Sequence, residues 1–295
     1  MSRSSDTLGA SLRLGLIGDN IADSRAPVLH RLAGELAGID VSYDLFVPRE
    51  QGLDFDALLA RCRADGLRGL NITYPYKQRV MTHVTGGDPL LQRIGAANTV
   101  VFTDSAIEGH NTDHSGFVSA YRAAFSDMPP GVVAQIGAGG VGRAVAFALV
   151  SLGASEIRLI DTDVTKAHAL ASALNTISAG TTRVSVHDTV AACAGADAVM
   201  NCTPIGMVGY QGTPVPAHLL AGIGWGFDAV YTPVETTFKS DAEAAGARFL
   251  SGFELFFHQG VHAFEIFAGC DLPDCDALRL RLLDLVEAEE TGAQP

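Results

Sequence analysis

Short runs of apolar residues alternate with longer stretches of helical periodicity along the first half of the chain. The runs LRLGLIG (12–18), VSYDLFVP (41–48) and GLNITYP (69–75) predict strands, because each is short and rich in aliphatic or aromatic residues. Stretches at residues 27–38 and 55–66 predict helices between these strands. Such strand–helix alternation is typical of an α/β domain with a mostly parallel sheet.

The turn-rich segment SDMPPG (126–131) separates this half from a second alternating half, and after Gly252 the pattern becomes helical. We therefore expect two α/β domains. Residues 1–115, completed by helices within residues 255–295, form the first domain, and residues 116–254 form the second. Six strands are predicted in the second half, within VVAQI, EIRLID, TRVSVHD, DAVMNCTP, GFDAV and RFLSG. A helix is predicted between TRVSVHD and DAVMNCTP, and the polar tail ETGAQP is expected to be frayed.

One strand-like run, GLNITYPYKQ (69–78), ends beside a lysine. Its apolar residues up to Tyr74 alternate with Asn71 and Thr73, which predicts a half-buried strand with one polar face. Pro75 interrupts the strand, and Lys77 is the next cation. On the residues alone, a solvent-exposed turn lysine is the simpler interpretation of Lys77.

Composition narrows the class of protein. An apolar fraction of 47% with 18% charged residues is ample for packed cores, and a formal net charge of -13 argues against nucleic-acid or anionic-membrane partners. The five cysteines are odd in number and form no CxxC pair, which favours reduced thiols and a cytoplasmic location. No run approaches the roughly 20 apolar residues of a membrane span, so we expect no membrane segment.

A glycine-rich turn follows the first strand of the second half and opens an alanine-rich helix. This placement predicts a Rossmann-type dinucleotide-binding domain, since a G-x-G-x-x-G turn is informative between a strand and a helix. The first glycine allows the tight turn, the second lets a pyrophosphate approach the backbone, and the third permits close packing. Free N–H groups at the helix start bind the phosphates. The predicted cofactor-binding residues are Gly137, Ala138, Gly139, Gly140, Val141 and Gly142.

Asp161 ends the next predicted strand, 19 residues after Gly142. A carboxylate at this distance accepts hydrogen bonds from the adenosine ribose and repels a 2′-phosphate, so NAD is favoured over NADP. Lys166 and Arg158 could soften that repulsion. A helix N-cap or a solvated turn residue is the alternative interpretation of Asp161.

A dehydrogenase also needs a group that exchanges a proton with its substrate, and Lys77, Asp113 and the nine histidines are candidates. Eight ordered motifs resemble those of the shikimate/quinate dehydrogenase family over nearly the whole chain. The stretches NITYPYKQ and GHNTDHSGF, together with the acidic Asp161, are most similar to the NAD-using quinate/shikimate branch. The motifs are IGDNIADSRAPVLH, GLNITYPYK, IGAANTV, GHNTDHSG, GAGGVG, NCTPIGM, DAVYTPVET and SGFELFFHQGVHAF.

The resemblance implies a role for each matching residue. Lys77 is implied as the catalytic lysine, and Asp113 as its partner carboxylate and a substrate contact. Further contacts to a cyclohexane or cyclohexene carboxylate substrate are implied for Ser24, Thr73, Asn98, Tyr231 and Gln259. Residues near the nicotinamide are implied to be Thr203, Met207 and Gly252. Without the resemblance, these residues have ordinary interpretations as turn, strand-end, helix-surface or core residues.

One departure from the family pattern lies in Ser24-Arg25-Ala26-Pro27. The family usually places a second hydroxyl residue where Ala26 stands, and both hydroxyls hold the substrate carboxylate. Losing one such hydrogen bond costs about 1.5–3 kcal/mol. Ala26 could instead leave room for a bulkier substituent, such as the tertiary alcohol of quinate, or for a different acid. Arg25 could supply a compensating charge.

Other functions stay open beside shikimate or quinate oxidation. A dehydrogenase of an amino-substituted, shikimate-like acid is one alternative, and a non-catalytic shikimate- or quinate-binding sensor is another. Metal binding is not expected, because His258 and His262 lack a third ligand and the Glu of an HExxH motif. We expect a monomer or homodimer that uses NAD, with NADP as the less favoured cofactor.

Overall fold

A computed structural model describes residues 11–291, with side-chain environments up to residue 285. The chain divides into two compact units. The first comprises the residues up to Leu91, Gly95–Thr112 and the residues from Gly260 onward, and the second comprises Gln92–Ile94 and Asp113–Gln259. No helix within the described residues is both long and apolar enough to span a membrane.

The first unit is built on a six-stranded mixed sheet in the order β2-β1-β3-β5-β6-β4. Strand β1 pairs in parallel with β2 and β3, whereas β5 is antiparallel to both β3 and β6. The strands are β1 (Ser11–Ile17), β2 (Asp40–Phe46), β3 (Gly69–Ile72), β4 (Gly86–Gly87), β5 (Thr99–Phe102) and β6 (Ile107–His110).

Helices cover both faces of this sheet. Helix α1 (Ala26–Ala37) begins with a proline in its first turn and ends at Gly38, whose φ of 69° suits a glycine C-cap. Helix α2 (Phe55–Ala64) begins at the N-cap Asp54, whose carboxylate accepts from the amide of Ala57. Helix α3 (Pro89–Ile94) begins in the first unit and ends in the second, and α9 (Cys275–Thr291) belongs to the first unit.

The prediction that β3 is half-buried is wrong, because all four of its residues are buried. Leu70 and Ile72 pack into a core with Phe55 and other α2 residues. On the other face, Phe267 lies so close that a Cβ at Gly69 would be 2.6 Å from its ring. Tyr74, which the alternation predicts to be inward, lies beyond the strand and is 75% exposed.

The second unit contains a fully parallel sheet in the order β12-β11-β10-β7-β8-β9. The order reverses at β7, which is the arrangement of a doubly wound α/β domain. The strands are β7 (Val132–Ile136), β8 (Glu156–Ile160), β9 (Arg183–His187), β10 (Ala198–Asn201), β11 (Trp225–Asp228) and β12 (Arg248–Leu250). The helices are α4 (Thr112–Phe125), α5 (Gly140–Ser151), α6 (Val164–Ser178), α7 (Thr237–Ala244) and α8 (Gly252–Ala268), of which α4 and α8 cross the unit boundaries.

The predicted α/β fold class is confirmed, and all six predicted strands of the second half are present. The helix expected between β9 and β10 is only a short 3-10 turn at Val190–Cys193. Strands β4 and β6 were not predicted, because β4 consists of two glycines and β6 (IEGH) has one aliphatic residue. The frayed tail expected at ETGAQP lies mostly outside the described residues.

Candidate active site

Lys77 lies in the turn between β3 and the 3-10 helix Arg79–Thr82, and its side chain is half-buried. The turn is fixed by the amide of Tyr76, which donates to the Thr73 carbonyl at 2.8 Å. The Lys77 carbonyl accepts from the amide of Ala97 at 2.8 Å. The lysine side chain therefore projects from a backbone that is held on both sides.

Thr73 and Ser24 lie just outside regular elements, and both are half-buried. The amide of Thr73 donates to the Ile17 carbonyl at 2.9 Å, so the residue after β3 stays attached to the end of β1. Ser24 precedes α1, and its Oγ accepts from the amide of Ala26 at 3.3 Å. Ala26 is the first residue of α1, and its methyl group stands where the family pattern has a hydroxyl.

Asn98 is 3% exposed and is joined to Thr112 by two short hydrogen bonds. Its Nδ2 donates to Thr112 Oγ1 at 2.9 Å, and its Oδ1 accepts from the Thr112 amide at 2.7 Å. Asp113 directly follows Thr112 in the first turn of α4 and is buried. Asn98 therefore fixes the backbone directly before Asp113. The sequence did not predict this contact between Asn98 and Thr112.

A buried polar layer continues from Asn98 to β2. Asn71 Nδ2 donates to Thr99 Oγ1 at 3.0 Å, and its Oδ1 accepts from the Tyr43 hydroxyl at 2.8 Å. His30 stacks on Tyr43 with ring centroids 4.8 Å apart, and burial lowers the pKa of its imidazole to about 3, with a hydrogen bond to Asn71 acting in the opposite direction. His30 is therefore a neutral core residue.

Tyr231 and Gln259 both contact Phe256 of α8. The Tyr231 ring stacks on the Phe256 ring with centroids 5.0 Å apart, and Gln259 Nε2 donates to the Phe256 carbonyl at 3.0 Å. Gly116 of α4 lies against Gln259, since a Cβ there would be 2.6 Å from the Gln259 nitrogen. A close helix–helix approach thus holds Gln259 in place.

The glycine turn after β7 has the shape of a phosphate-binding cradle. Gly137 has φ of 102°, and a Cβ there would be 2.7 Å from the Cys202 carbonyl oxygen. A Cβ at Gly142 would collide with the Gly137 carbonyl, whereas a Cβ at Gly139 would meet nothing within 4 Å. The turn is therefore closed on its inner side and open at Gly139, where α5 presents N–H groups without intrahelical acceptors. These residues fit a dinucleotide pyrophosphate.

Asp161 is half-buried beside this turn. Its Oδ2 accepts from the Ala138 amide at 2.7 Å, and its Oδ1 accepts from the Asp163 amide at 2.8 Å. The N-cap of α6 is Asp163 rather than Asp161, so the N-cap interpretation of Asp161 is wrong. The carboxylate fixes the glycine turn, a contact that sequence reasoning missed, and its remaining lone pairs can accept from a ribose.

The two cations that could offset the charge of Asp161 are bound to other groups. Arg158 Nε donates to Glu156 at 3.0 Å, and its Nη1 donates to the carbonyls of Ala192 and Ala194 at 3.0 Å. Lys166 Nζ is 3.4 Å from Asp163. The environment of Asp161 therefore stays acidic, which is unfavourable for a 2′-phosphate.

A buried Asn–Asp pair joins the loops after β10 and β11. Asn201 Nδ2 donates to Asp228 Oδ1 at 3.0 Å, and Asp228 Oδ2 accepts from Thr236 Oγ1 at 2.7 Å. Asn201 Oδ1 accepts from Thr203 Oγ1 at 2.6 Å. Burial raises the pKa of Asp228 to about 6, although three donors favour the ionised form. The sequence did not predict this pair. The one feature that could have indicated it is a polar residue at the end of each of the two strands.

Met207 and Gly252 lie in segments that follow these strands. The Met207 amide donates to the Pro204 carbonyl at 3.0 Å within a turn. Gly252 begins α8, and a Cβ there would be 2.6 Å from the Val230 carbonyl oxygen and 2.8 Å from two others. No cluster of three or more metal-ligating side chains occurs among residues 11–291, apart from the side chains not described after 285.

Two family models match the chain. Residues 16–100 match the shikimate dehydrogenase substrate binding domain, and residues 133–209 match the saccharopine dehydrogenase NADP binding domain. A quinate/shikimate dehydrogenase (NAD(+)) from Corynebacterium efficiens is 39% identical over 284 residues, which cover 93% of this chain and 99% of that protein. A shikimate dehydrogenase (NADP(+)) from Pseudarthrobacter chlorophenolicus is 38% identical over 292 residues, which cover 96% and 98%.

Solved structures agree with these relatives. The quinate dehydrogenase from Corynebacterium glutamicum in complex with NAD has a TM-score of 0.84 and 35% identity, covering 93% of this chain and 99% of that one. A shikimate 5-dehydrogenase from Thermus thermophilus in complex with NADP(H) and shikimate has a TM-score of 0.78 and 31% identity, covering 90% and 97%. This chain therefore belongs to the shikimate/quinate dehydrogenase family.

Proposed function

We propose that this protein is an NAD-dependent dehydrogenase that interconverts a ring hydroxyl and a ketone on shikimate, quinate or both. The observation that carries the proposal is the glycine cradle before α5, with Asp161 fixed beside it, in a chain of this family. When bound, NAD accepts the hydride from the ring carbon that bears the hydroxyl. The chain must then bind the acid, orient it and remove one proton.

Lys77 is the residue we assign to proton transfer. Its neutral amine accepts the hydroxyl proton as the hydride leaves the carbon, and its ammonium returns the proton in the reverse reaction. The backbone hydrogen bonds on both sides of Lys77 fix the position from which its side chain extends toward the substrate. Asp113 is assigned as the second catalytic residue, because a carboxylate accepts hydrogen bonds from the neighbouring ring hydroxyls.

Binding of the ring acid is assigned to the other polar residues. Ser24 and Tyr231 bind the substrate carboxylate, and the ring hydroxyls bind Thr73, Asn98 and Gln259. The tight support of Asn98 by Thr112 is consistent with a binding group whose orientation matters. The cofactor pyrophosphate binds the turn from Gly137 to Gly142, and the nicotinamide binds beside Thr203, Met207 and Gly252.

NAD is the preferred cofactor in this proposal. Asp161 accepts hydrogen bonds from the ribose hydroxyls, and its negative charge disfavours a 2′-phosphate. Because Arg158 and Lys166 are bound to other groups, neither compensates that charge. NADP is a second, weaker cofactor.

A second candidate substrate follows from Ala26. The missing hydroxyl leaves Ser24 as the sole hydroxyl residue of the SRAP segment, with its Oγ directed to the Ala26 amide. A ring acid with a bulkier substituent beside its carboxylate, or an amino-substituted acid, would use the space of the missing hydroxyl. A sensor without catalysis is the remaining alternative, and turnover by the wild type would exclude it.

The setting of this activity is also part of the proposal. The substrate domain comprises residues 1–115 and 255–295, and the cofactor domain comprises residues 116–254. The enzyme acts in the cytoplasm as a monomer or homodimer. The five free cysteines, of which two are buried, are compatible with a reducing compartment.

The test is steady-state oxidation of quinate and of shikimate, each with NAD and with NADP, by the wild type and by Lys77→Ala. We expect turnover with NAD, and a fall in kcat of about 10²–10⁴-fold in the variant. Arg79→Ala is the matched control, because it removes an exposed cation of the same segment that pairs with Asp56. The control should retain kcat within about twofold.

Three outcomes would contradict parts of this proposal. Unreduced activity in Lys77→Ala would remove the proton-transfer role. A preference for NADP would overturn the assignment of Asp161. The absence of turnover with both acids would favour an amino-substituted substrate or a sensor.

A further inference from the structure

Gln135 is a fully buried amide beneath the glycine turn. It is the fourth residue of β7, the strand on which the sheet order reverses, and it is 0% exposed. Its neighbours in the sheet are Leu159 of β8 and Met200 of β10. Glutamine is mostly an exposed residue, so its place inside an apolar sheet calls for a physical reason.

The side-chain nitrogen of Gln135 joins the two ends of the glycine turn. Nε2 donates to the Gly137 carbonyl at 2.9 Å and to the Gly142 carbonyl at 2.9 Å. Both N–H bonds of the amide are thereby used. Gly142 is in close contact with the same group, because a Cβ there would be 3.2 Å from Nε2.

The side-chain oxygen of Gln135 has no hydrogen-bond partner within the described part of the chain. Exchanging the positions of oxygen and nitrogen would direct Oε1 at two carbonyl oxygens, so the orientation is determined. A buried acceptor without a partner is unfavourable, and an apolar side chain would avoid it. Stability of the core alone therefore does not account for glutamine at this position.

We propose that Gln135 is a positioning residue of the cofactor turn, which holds the first and last glycines at a fixed separation before NAD binds. This inference rests on the proposed use of NAD. The turn is also held from β8, since the amide of Gly137 donates to the Ile160 carbonyl and that of Ala138 donates to Asp161. With its inner polar groups bound in this way, the N–H groups at the start of α5 face the pyrophosphate in a fixed geometry.

The test measures NAD binding by titration calorimetry on the wild type and on Gln135→Met. Methionine has a side chain of similar length but cannot donate the two hydrogen bonds to the Gly137 and Gly142 carbonyls. We expect the dissociation constant for NAD to rise about tenfold. At saturating NAD, the KM for the ring acid should stay within about twofold. A dissociation constant for NAD within twofold of the wild type would overturn the proposal.

Val133→Ala is the matched control, because Val133 is a buried residue on the same face of β7, one step farther from the turn. It should lower the thermal stability through lost packing and leave the NAD dissociation constant unchanged. A rise equal to that of Gln135→Met would overturn the proposal, since any damage to β7 would then weaken binding.

A measurement on the wild type covers the case in which Gln135→Met does not fold. The side-chain amide protons of Gln135 should exchange slowly with solvent in the NMR spectrum of the protein without NAD. Rapid exchange would overturn the proposal. If the wild type binds neither NAD nor NADP, the proposed function fails and this inference fails with it, whereas binding that is insensitive to Gln135 overturns only the inference.

Discussion

His30 is a titratable group enclosed by aromatic rings. It is 1% exposed, stacks on Tyr43, and has Phe267 with its ring centroid 5.7 Å away. Burial holds the pKa of its imidazole near 3, far below the ordinary value of 6.5. In the unfolded chain the same imidazole takes up a proton as the pH falls below about 6.5.

This difference predicts part of the acid sensitivity of the protein. The neutral imidazole contributes stability above pH 6.5 that is lost as the pH falls toward the folded pKa, because only the unfolded state gains the proton. Between pH 6.5 and 4.5 this loss amounts to about 2 kcal/mol in the free energy of unfolding. Urea unfolding of His30→Gln across this range should show a shallower pH dependence than the wild type.

The exposed His168 of α6 provides the matched control for this measurement. His168→Gln replaces a histidine on the protein surface, and it should leave the pH dependence of the wild type unchanged. An equal pH dependence in His30→Gln and the wild type would show that His30 does not carry this loss.

At single positions, sequence reasoning succeeded where the local pattern decides the environment. The tight geometry of the glycine turn is of this kind, since a Cβ at Gly142 would collide with the Gly137 carbonyl only five residues earlier. Asn71 was assigned to a polar face, yet Phe267, nearly 200 residues later, covers that face of the sheet. Partners so remote in sequence cannot be inferred from periodicity.

Helices α4 and α8 approach each other at Gly116, and this contact predicts the effect of a single methyl group. Alanine improves helix propensity by about 1 kcal/mol, but a Cβ at Gly116 would lie 2.6–2.8 Å from the backbone and Cβ of Gln259. We expect Gly116→Ala to lower the free energy of unfolding by about 1–3 kcal/mol. Because Gln259 must move, the KM for the ring acid should rise.

Gly260→Ala is the comparison for Gly116→Ala. Its Cβ would meet side-chain atoms of Leu29 rather than backbone atoms, so the loss of stability should be smaller. Both variants are compared by thermal unfolding and steady-state kinetics. Equal stability of Gly116→Ala and the wild type would mean that α4 and α8 are less tightly packed than the structure has them.

Among the elements, strands with at least two apolar residues were predicted correctly in the second unit. All six of its strands have this composition and are bounded by turns. Strand β6 contains a glycine and a glutamate within four residues, and its pairing with β5 gives it a regular structure. The turn Val190–Cys193 is too short for a helical period, so its alanines predicted a longer helix than exists.

On the scale of the whole molecule, the proposed ligands should affect different segments. NAD alone should slow amide hydrogen exchange in residues 137–142 and 201–207, which carry the cofactor residues of the second unit. Quinate or shikimate alone should slow exchange in residues 69–77 and around Asn98 of the first unit. At about 100 times its dissociation constant, each ligand adds about 2.7 kcal/mol to the stability of whatever structure binds it.

Hydrogen-exchange mass spectrometry with one ligand at a time checks this prediction. An excess of glucose in place of the ring acid serves as the control for non-specific protection. Protection of residues 69–77 by NAD alone, without protection of residues 137–142, would contradict the division of binding between the two segments.

The Asn201–Asp228 pair has a consequence for how this protein can be altered. The Asp228 carboxylate accepts a hydrogen bond from Asn201, which leads into the loop after β10. It also accepts from the Val230 amide and from Thr236 in the loop after β11. If one loop alone is exchanged for that of a relative, a buried polar group in the other loop loses its hydrogen-bond partner. Chimeras and mutant libraries designed for new substrates should therefore exchange the two loops together.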